Sequence, residues 1–268
     1  SASAASGTPA ITNNSSPAKA VGTAKRIVID APLVRGSFSV RGARLDDVIL
    51  TSYNETLDEN SENIHFLKKT SSNTPFFAEF GWSSSDSGQT MPSADSLWSA
   101  DRDVLSPATP VTLTWDNGQG LQFTRRISIN DDYLFVFEDS VTSSLPGDIT
   151  LYPYGLVRRH GTPATTGMYI LHEGPHGVFD ETLSDEDYAD LRDAGAAGIK
   201  MTPETAGGWV GITDKYWLAA LLPTQAKNFN FGFQSLAGNT HRYQVDFIDP
   251  NGLLLAAGGA ITSESRLF

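Results

Sequence analysis

Short stretches of alternating apolar and polar residues, separated by turn-forming residues, dominate this sequence from Arg26 onward. The stretch 229–234 alternates Phe with polar residues, and 242–247 alternates Tyr, Val and Phe with Arg, Gln and Asp. Successive side chains of a strand point to opposite faces, so each stretch predicts a strand with one buried face and one solvated face. Turn signals recur between such stretches, as at 130–132 and 249–252. Many short strands at this spacing predict an all-β chain of antiparallel strands, either a sandwich or a barrel.

A β-hairpin is predicted around residues 116–118. Residues 111–115 place Val, Leu and Trp on one face, and the Asp-Asn-Gly that follows is typical of a hairpin turn. The stretch 121–129 continues the alternation and is expected to form the return strand. The uninterrupted apolar run 134–137 then predicts a strand suited to the middle of a sandwich.

One segment, near 184–194, breaks the β pattern and predicts a small helix. Ser184 is a residue type that caps helix N-termini, and the acidic residues after it favour the positive end of the helix dipole. Tyr188 and Leu191 share one helical face. Gly195 is expected to end the helix.

Composition excludes several classes of function. The chain carries 19 Lys and Arg against 31 Asp and Glu, a formal charge of −12, which argues against nucleic acid and anionic lipid as partners. It has no cysteine, which excludes disulfides, Cys-ligated zinc, iron–sulfur clusters and thiol nucleophiles. No apolar run approaches the ~20 residues that a membrane helix needs, and no secretory signal is recognisable.

The chain divides into a tether and one β-rich body. Residues 1–25 consist almost entirely of Ala, Ser, Thr, Gly, Asn and Pro, and such a stretch buries too little apolar surface to offset its ordering entropy. We therefore expect a flexible tether over 1–25 and a single domain over 26–268. A tether before a domain suggests a preceding segment, and the apolar Leu267-Phe268 suggests that a further element follows.

The search for catalytic motifs leaves few candidates. No nucleophile elbow or phosphate-binding loop occurs, and the Gly-x-Gly at 118–120 leads into a strand, without the helix N-terminus that a dinucleotide needs. His172 and His176, with His160, are the sharpest metal candidates. The Gly174-Pro175 pair between the first two excludes a helix that would align them, so a polar loop with two solvated histidines is the favoured interpretation.

Acidic residues and tryptophans each permit two interpretations. The stretch 173–193 contains eight acidic residues, which indicates either a solvated helix with its flanking loop or an acidic docking surface for a basic partner. No carboxylate pair within it singles itself out for glycoside chemistry. Trp82 and Trp98 lie in sequence rich in Ser, Asp and Gly. They are either exposed binding residues or, as we favour, anchors that pin a long loop onto the body.

The stretch 207–223, Gly-Gly-Trp-Val-Gly-Ile-Thr-Asp-Lys-Tyr-Trp-Leu-Ala-Ala-Leu-Leu-Pro, predicts two strands joined at 213–215, with the double glycine allowing close backbone approach beneath the first Trp. It resembles the signature region of the YidC family of bacterial inner-membrane protein insertases, in the last third of the large periplasmic domain. The stretch 40–53 is similar to the family's early Arg-Gly hairpin, and 111–141 is also similar. Order and spacing agree from 26 to 268. The matching signature residues are Arg41, Gly42, Gly207, Gly208, Trp209, Asp214, Tyr216 and Trp217.

The resemblance implies a β-supersandwich similar to galactose mutarotase, with a small helical part. It places the chain on the periplasmic side of the bacterial inner membrane, after a first membrane helix and before an amphipathic helix and a second membrane helix. Proteins of this family insert and fold inner-membrane proteins, alone or beside the Sec translocon with SecDF. Their insertase groove lies in membrane helices, so the resemblance assigns no catalytic, cofactor-binding or metal-binding residue here.

Two functions follow as hypotheses. The first is a non-catalytic scaffold of an insertase, which would contact SecDF or emerging clients through edge strands or the sandwich cleft, for instance by β-augmentation. The second is a mutarotase-like sandwich that binds or processes carbohydrate. It would place a His with a Glu or Asp base in a concave pocket.

Overall fold

The computed structural model describes residues 24–58, 60–163, 172–214, 216–238 and 240–268. Of the tether predicted over 1–25, only the last two residues are described; the rest lies outside the described residues. The elements over the described ranges are almost all strands, which confirms the all-β prediction.

The elements consist of strands, one α-helix and one 3-10 turn. In chain order they are β1 (Arg26–Asp30), β2 (Val34–Ser39), β3 (Arg44–Asn54), β4 (Asn63–Leu67), β5 (Phe76–Ser84), β6 (Ser99–Ala100), β7 (Val104–Leu105), β8 (Val111–Asp116), β9 (Leu121–Ile129), β10 (Phe135–Ser143), β11 (Ile149–His160), β12 (Gly174–Phe179), β13 (Thr182–Asp185), α1 (Tyr188–Ala194), the 3-10 turn (Gly195–Ala197), β14 (Ile199–Met201), β15 (Trp209–Thr213), β16 (Leu218–Pro223), β17 (Asn230–Leu236), β18 (Arg242–Ile248), β19 (Leu253–Leu255) and β20 (Ala260–Leu267).

These strands form two sheets. The larger sheet has 11 strands in the order β14-β17-β18-β11-β5-β3-β2-β1-β7, with β19 beside β11 and β4 beside β3. The smaller sheet has nine strands in the order β13-β12-β15-β16-β20-β10-β9-β8-β6. Neighbouring strands run antiparallel, except that β1 and β7 are parallel.

A shared core holds the two sheets face to face. Phe80 of β5 and Phe137 of β10 bring their ring centroids within 4.1 Å across the interface. Arg125 of β9 lies in this core with 1% of its surface exposed. Its Nε and Nη2 donate to the two carboxylate oxygens of Asp139 at 2.7 Å, and Nη2 also donates to the Phe80 carbonyl at 2.8 Å. The smaller sheet is thereby hydrogen-bonded to the larger one through a buried charge.

The two local strand predictions are confirmed. β8 and β9 form the hairpin around 116–118, with Asp116 paired to Gln122. The Asn117 side chain accepts from the amides of Gln119 and Leu121, which closes the turn. β10, which contains most of the apolar run, lies between β20 and β9 in the interior of its sheet.

The solvated face predicted for 242–247 is wrong. Arg242, Gln244 and Asp246 are 9%, 0% and 3% exposed, so both faces of β18 are buried. Arg158 of the neighbouring β11 donates to the Gln244 side-chain oxygen at 2.9 Å, and Gln244 donates to Asp246 at 2.6 Å. Polar side chains that satisfy one another can be buried, and alternation alone does not reveal this.

The helix is shorter than predicted and begins later. Ser184 belongs to β13, and Asp187 is the N-cap of α1. The Asp187 amide donates to the Asp190 carboxylate at 3.4 Å. Tyr188 and Leu191 are both buried, and Gly195 forms the C-cap, as predicted. Pairing with β12 accounts for the difference, because it draws residues 182–185 into the smaller sheet.

Neither tryptophan in the loop-like sequence is exposed. Trp82 lies within β5 and is 3% exposed, so its placement in a loop is wrong. Trp98 is 5% exposed and lies just before β6, with the Arg125 guanidinium 5.6 Å from its ring centroid. Trp98 therefore anchors its segment to the core, in keeping with the favoured interpretation.

Candidate functional site

The signature stretch forms a hairpin of β15 and β16, as the sequence predicts. Val210 pairs with Leu221 and Thr213 with Leu218. The Asp214 amide donates to the Trp217 carbonyl at 2.8 Å, and the Thr213 hydroxyl donates to the same carbonyl at 3.0 Å. Lys215, within this turn, lies outside the described residues. The turn backbone is thus closed by its own hydrogen bonds.

The double glycine lets the chain pass close to β12. Gly208 has a φ of +99°, and a Cβ there would lie 2.6 Å from the Val178 carbonyl oxygen. Gly208 also exchanges two hydrogen bonds with the Gln225 side chain, at 3.1 and 3.0 Å. The next residue, Trp209, begins β15 and packs edge-on against His176 with the centroids 5.1 Å apart. No larger residue fits at 208 without displacing β12.

Asp214 fixes the turn to the larger sheet. Arg159 of β11 donates to both Asp214 carboxylate oxygens, at 2.5 and 2.7 Å. It also donates to the Tyr188 hydroxyl of α1 at 3.2 Å, and its guanidinium lies 4.5 Å from the Phe76 ring centroid. Burial by itself would lower the pKa of Arg159, but the hydrogen bond that it donates to Asp214 and the charge of that carboxylate, together with Tyr188, raise the pKa overall. Asp214 therefore holds a charged guanidinium between the turn, the helix and the sheet.

Beyond this ion pair, the turn borders an apolar groove, which we call the aromatic groove. It has a volume of about 260 Å³ and opens where the ends of the two sheets meet. Tyr53 and Trp217 meet edge-on across it, with centroids 4.7 Å apart. Tyr216 is 71% exposed and Phe268 is 51% exposed. The lining residues, all apolar or aromatic, are Val34, Val48, Leu50, Tyr53, Phe66, Leu67, Tyr133, Phe135, Tyr216, Trp217, Leu218, Leu267 and Phe268.

Arg41 and Gly42 do not line this groove, although Val48, Leu50 and Tyr53 of the same hairpin do. Gly42 has a φ of +72°, and its amide donates to the Ser96 carbonyl at 2.8 Å. Arg41 donates to the Asp95 carbonyl at 3.3 Å and forms a β-bridge with Leu97. Of the signature residues, only Tyr216 and Trp217 line the groove. Arg41 and Gly42 instead hold the segment that carries Trp98.

The groove brings together residues that no pattern in the sequence groups. Tyr53 lies near the end of β3, Phe66 lies in β4 and Tyr133 precedes β10, so the walls of the groove come from both sheets. Tyr133 has a φ of +70°, a backbone conformation uncommon outside glycine. The turn signal at 130–132 predicts a tight turn next to Tyr133, but the proximity of Tyr133 to Trp217 depends on tertiary packing.

The histidine candidates are not arranged as a metal site. His176 lies in β12, so the prediction of a solvated loop is wrong for it. Burial lowers its pKa to about 4, assisted by the charge of His172 and opposed by Asp185. The two rings lie 5.6 Å apart, and His172 has Asp185 at 3.8 Å. Over the described ranges, no cluster of three or more His, Asp or Glu is suited to a metal ion.

His160, the third candidate, belongs to the larger sheet. Burial lowers its pKa to about 4, and the charges of Arg158, Arg242 and Arg44 lower it further. Phe77 is its ring neighbour, at 6.2 Å. The charged groups found near His160 in the described part of the chain are arginines. An acid–base pair would instead need a carboxylate beside the imidazole.

The acidic stretch 173–193 covers the edge of the smaller sheet. It forms β12, the edge strand β13 and α1. Burial raises the pKa of Glu186, as do its neighbours Asp190, Asp185 and Asp187. Tyr188 of α1 packs against Tyr243 with centroids 4.6 Å apart, so the helix is docked on the core with its acidic side outward. Among the described residues, no helix has the length and hydropathy of a membrane span.

Residues 26–268 match the family model described as the YidC periplasmic domain. Similar proteins named "Membrane protein insertase YidC" include those of Methylorubrum extorquens, 41% identical over 260 residues, and Beijerinckia indica, 42% identical over 252 residues. Each alignment covers 93% of this chain but 41% of the relative. The chain thus spans about two fifths of the length of these curated relatives.

Solved structures of similar fold carry carbohydrate-related names. A galactose mutarotase related enzyme from Lactobacillus acidophilus has a TM-score of 0.59 at 10% identity, covering 90% of this chain and 96% of its own. A galactose mutarotase-like protein from Lactobacillus casei has a TM-score of 0.55 at 12% identity, covering 90% and 99%. At such identity the likeness concerns the fold alone, and it confirms the expected mutarotase-like sandwich.

Proposed function

This chain belongs to the YidC periplasmic domain family, and on that basis we propose that it is the periplasmic part of a membrane protein insertase. The match over 26–268 carries this proposal. The whole protein would reside in the inner membrane, with 26–268 as a single periplasmic domain and 1–25 as its tether from a first membrane helix. Its clients would be nascent inner-membrane proteins, and its partners the Sec translocon and SecDF.

Within that role, we propose that the domain is a non-catalytic module whose aromatic groove receives an apolar segment of a client. The 13 lining residues include no charged side chain. An apolar segment that enters the groove would therefore remove no charged side chain of the groove from water. Exposed Tyr216 and Phe268 provide large contact area at the rim. The signature residues Tyr216 and Trp217 would then be contact residues, and Asp214 a positioning residue held by Arg159.

Photocrosslinking in cells of the source organism tests this role. A photoreactive phenylalanine replaces Tyr216 in the full-length protein, and a matched variant carries it at Thr114, which is exposed on the smaller sheet. Adducts with newly made inner-membrane proteins are expected at Tyr216 and not at Thr114. Adducts of equal yield at both positions, or adducts at Tyr216 with SecDF alone, would contradict client contact at the groove.

The carbohydrate alternative has a separate test. The fold similarity motivates it, but the charged neighbours found for His160 among the described residues are arginines. Polarimetry on the 268-residue chain with galactose and glucose measures whether it accelerates interconversion of the anomers. The insertase proposal predicts the uncatalysed rate. Saturable acceleration would establish a sugar enzyme and contradict the non-catalytic role.

A further inference from the structure

Only one edge of β20 is paired along its whole length. On one side, β10 pairs with residues 260–267. On the other side, β16 pairs only with residues 265–267, and after Pro223 the chain leaves the nine-stranded sheet and forms β17 of the larger sheet. Within the described part of the chain, residues 260–264 therefore have no strand partner on this side.

The register of β20 determines which backbone groups point to this open edge. Ala220 and Phe268 exchange two backbone hydrogen bonds, at 2.8 and 2.9 Å. In an antiparallel pair every second residue exchanges such bonds with the same neighbour, so the N–H and C=O of Thr262 and Glu264 point to the side of β16. Among the described residues, no hydrogen bond to these groups is found on that side. The edge thus offers two donors and two acceptors, repeated about 7 Å apart along the strand.

A cavity of about 560 Å³ borders this edge, and we call it the β20 slot. Its lining includes Thr262, Ser263 and Glu264 of β20 and, from the side of the larger sheet, Phe229 and Leu253. Phe229 is 3% exposed and belongs to the shared core, so the two apolar residues form a fixed floor. The slot has the size of a ligand pocket, typically about 300–1,000 Å³, and joins an unpaired strand edge to an apolar surface.

Side-chain alternation in β20 gives the slot two different sides. Ser263 points toward the core, as do Ile261 and Leu267, whereas Thr262 and Glu264 point toward solvent. A strand placed in the slot would alternate in the same way. Its residue opposite Ser263 would face the apolar floor, and because serine is small, an apolar side chain can be accommodated there. Its residues opposite Thr262 and Glu264 would face solvent, which suits polar side chains.

The carboxylates that line the slot are each paired with a cation. The four pairs are Arg125–Asp139, Arg126–Glu138, Lys227–Asp249 and Arg266–Glu264. An acidic or basic side chain would have to compete with one of these pairs, whereas an uncharged segment leaves all four intact. The charges of the slot therefore favour an uncharged occupant.

We propose that the β20 slot binds an extended, uncharged segment of another polypeptide, which pairs antiparallel with β20 in the position that β16 leaves after Pro223. An open strand edge is a template for the main chain of a further strand. Main-chain hydrogen bonds provide the affinity, and the pockets for alternate side chains provide the specificity. The segment would place apolar residues on the floor of the slot and polar residues toward solvent. The inference does not rest on the proposed function, since the slot shares no lining residue with the aromatic groove.

A peptide titration followed by nuclear magnetic resonance tests the proposal on the 268-residue chain. The probe is acetyl-Ser-Thr-Val-Thr-Val-Thr-Ser-amide, in which a valine would lie opposite Ser263 and threonines opposite Thr262 and Glu264. Saturable shifts of the Thr262 and Glu264 amide signals are expected. Two N-methylated probes serve as matched controls. In the proposed register, methylating the threonine amides removes the donors to β20 and abolishes binding, whereas methylating the valine amides leaves binding unchanged.

Two variants at one position of the edge locate the site. Thr262→Pro removes a donor that faces the slot and is expected to weaken binding about tenfold, while the pairing with β10 remains because the N–H of residue 262 points away from β10. Thr262→Val keeps the N–H and a side chain of similar shape, and it should bind the probe like the parent.

Three results would overturn the slot: no saturable shift at Thr262 and Glu264, equal binding of the two methylated probes, or shifts confined to Tyr216 and Trp217. The last of these would support the aromatic groove instead, so failure of the slot and failure of the groove are distinguishable. If circular dichroism shows Thr262→Pro unfolded, the two methylated probes still decide the question on the parent chain.

Discussion

At the scale of single residues, the core contains a buried ion pair between Arg125 and Asp139. Arg125 is 1% exposed, and its guanidinium hydrogen-bonds to residues of both sheets. Removing one partner leaves a buried charge unpaired, so Arg125→Met is expected to lower the free energy of unfolding by about 3–5 kcal/mol. Urea denaturation measures this change in the free energy of unfolding. The double variant Arg125→Met with Asp139→Leu should recover most of the loss, and a single variant as stable as the parent would contradict this role.

Gly208 provides a second residue-scale prediction. Gly208→Ala meets both a positive φ and the Val178 carbonyl, whereas Gly118→Ala meets a φ of +69° with nothing within 4 Å of the added Cβ. The left-handed backbone alone costs about 1–2 kcal/mol, so Gly118→Ala should lose about that much and Gly208→Ala clearly more. Thermal unfolding compares the two. Equal losses would show that β12 yields to the added methyl.

The buried histidines predict a pH dependence of stability. The pKa of His176 falls from 6.5 to about 4 on folding, so the unfolded chain binds the proton more readily. This contribution is complete above pH 6.5 and is lost as the pH falls toward 4. The decrease in unfolding free energy between pH 7.5 and 5 should be smaller in His176→Gln than in the parent. His65→Gln, at an exposed position in β4, should keep the parental slope; identical slopes in all three would contradict the prediction.

At the scale of elements, strand position predicts where the fold opens first. β11 and β18 are interior strands with long pairings, whereas β13 pairs only with β12 at a sheet edge. Amide hydrogen exchange should therefore be slowest in β11 and β18 and faster by orders of magnitude in β13 and α1. Comparable protection in β13 and β18 would contradict this order. In that case the acidic edge would belong to the cooperative core.

Turn-forming residues made two hairpins predictable, whereas the start of α1 depends on tertiary pairing. The β8–β9 hairpin follows from Asp-Asn-Gly at 116–118, and the β15–β16 hairpin from the turn in the signature stretch. The start of α1 was misplaced because Ser184 is recruited into β13, a tertiary effect. Arg125 did carry a signal, since it occupies an inward position in the alternation of β9.

The candidate sites were less predictable than the strands. Tyr216 and Trp217 were identified from the family resemblance, but Tyr53, Phe66 and Tyr133 join them only when both sheets are assembled. The burial of the polar side of β18 does not follow from its alternation, because the side chains that hydrogen-bond to it come from other strands. Alternation reports on one strand, whereas the aromatic groove is lined by residues of six strands and depends on their order.

At the scale of the whole molecule, two sheets around one core form a scaffold shared with mutarotase-like proteins at 10–12% identity. Fold alone does not determine function. The signature residues from 207 to 217 shape a hairpin, fix it to α1 and β11, and border an apolar groove, whereas Arg41 and Gly42 hold the segment that carries Trp98. This arrangement supports the contact role proposed for the aromatic groove.

The most direct test of that central claim is the location and size of the native protein. An antibody raised against the 268-residue chain is applied to cells of the source organism after alkaline carbonate extraction and after protease treatment of intact spheroplasts. The account predicts an antigen that stays with the membrane, migrates well above 28.8 kDa and is cleaved from outside. An antigen released by carbonate at the size of this chain, or protected in intact spheroplasts, would contradict it.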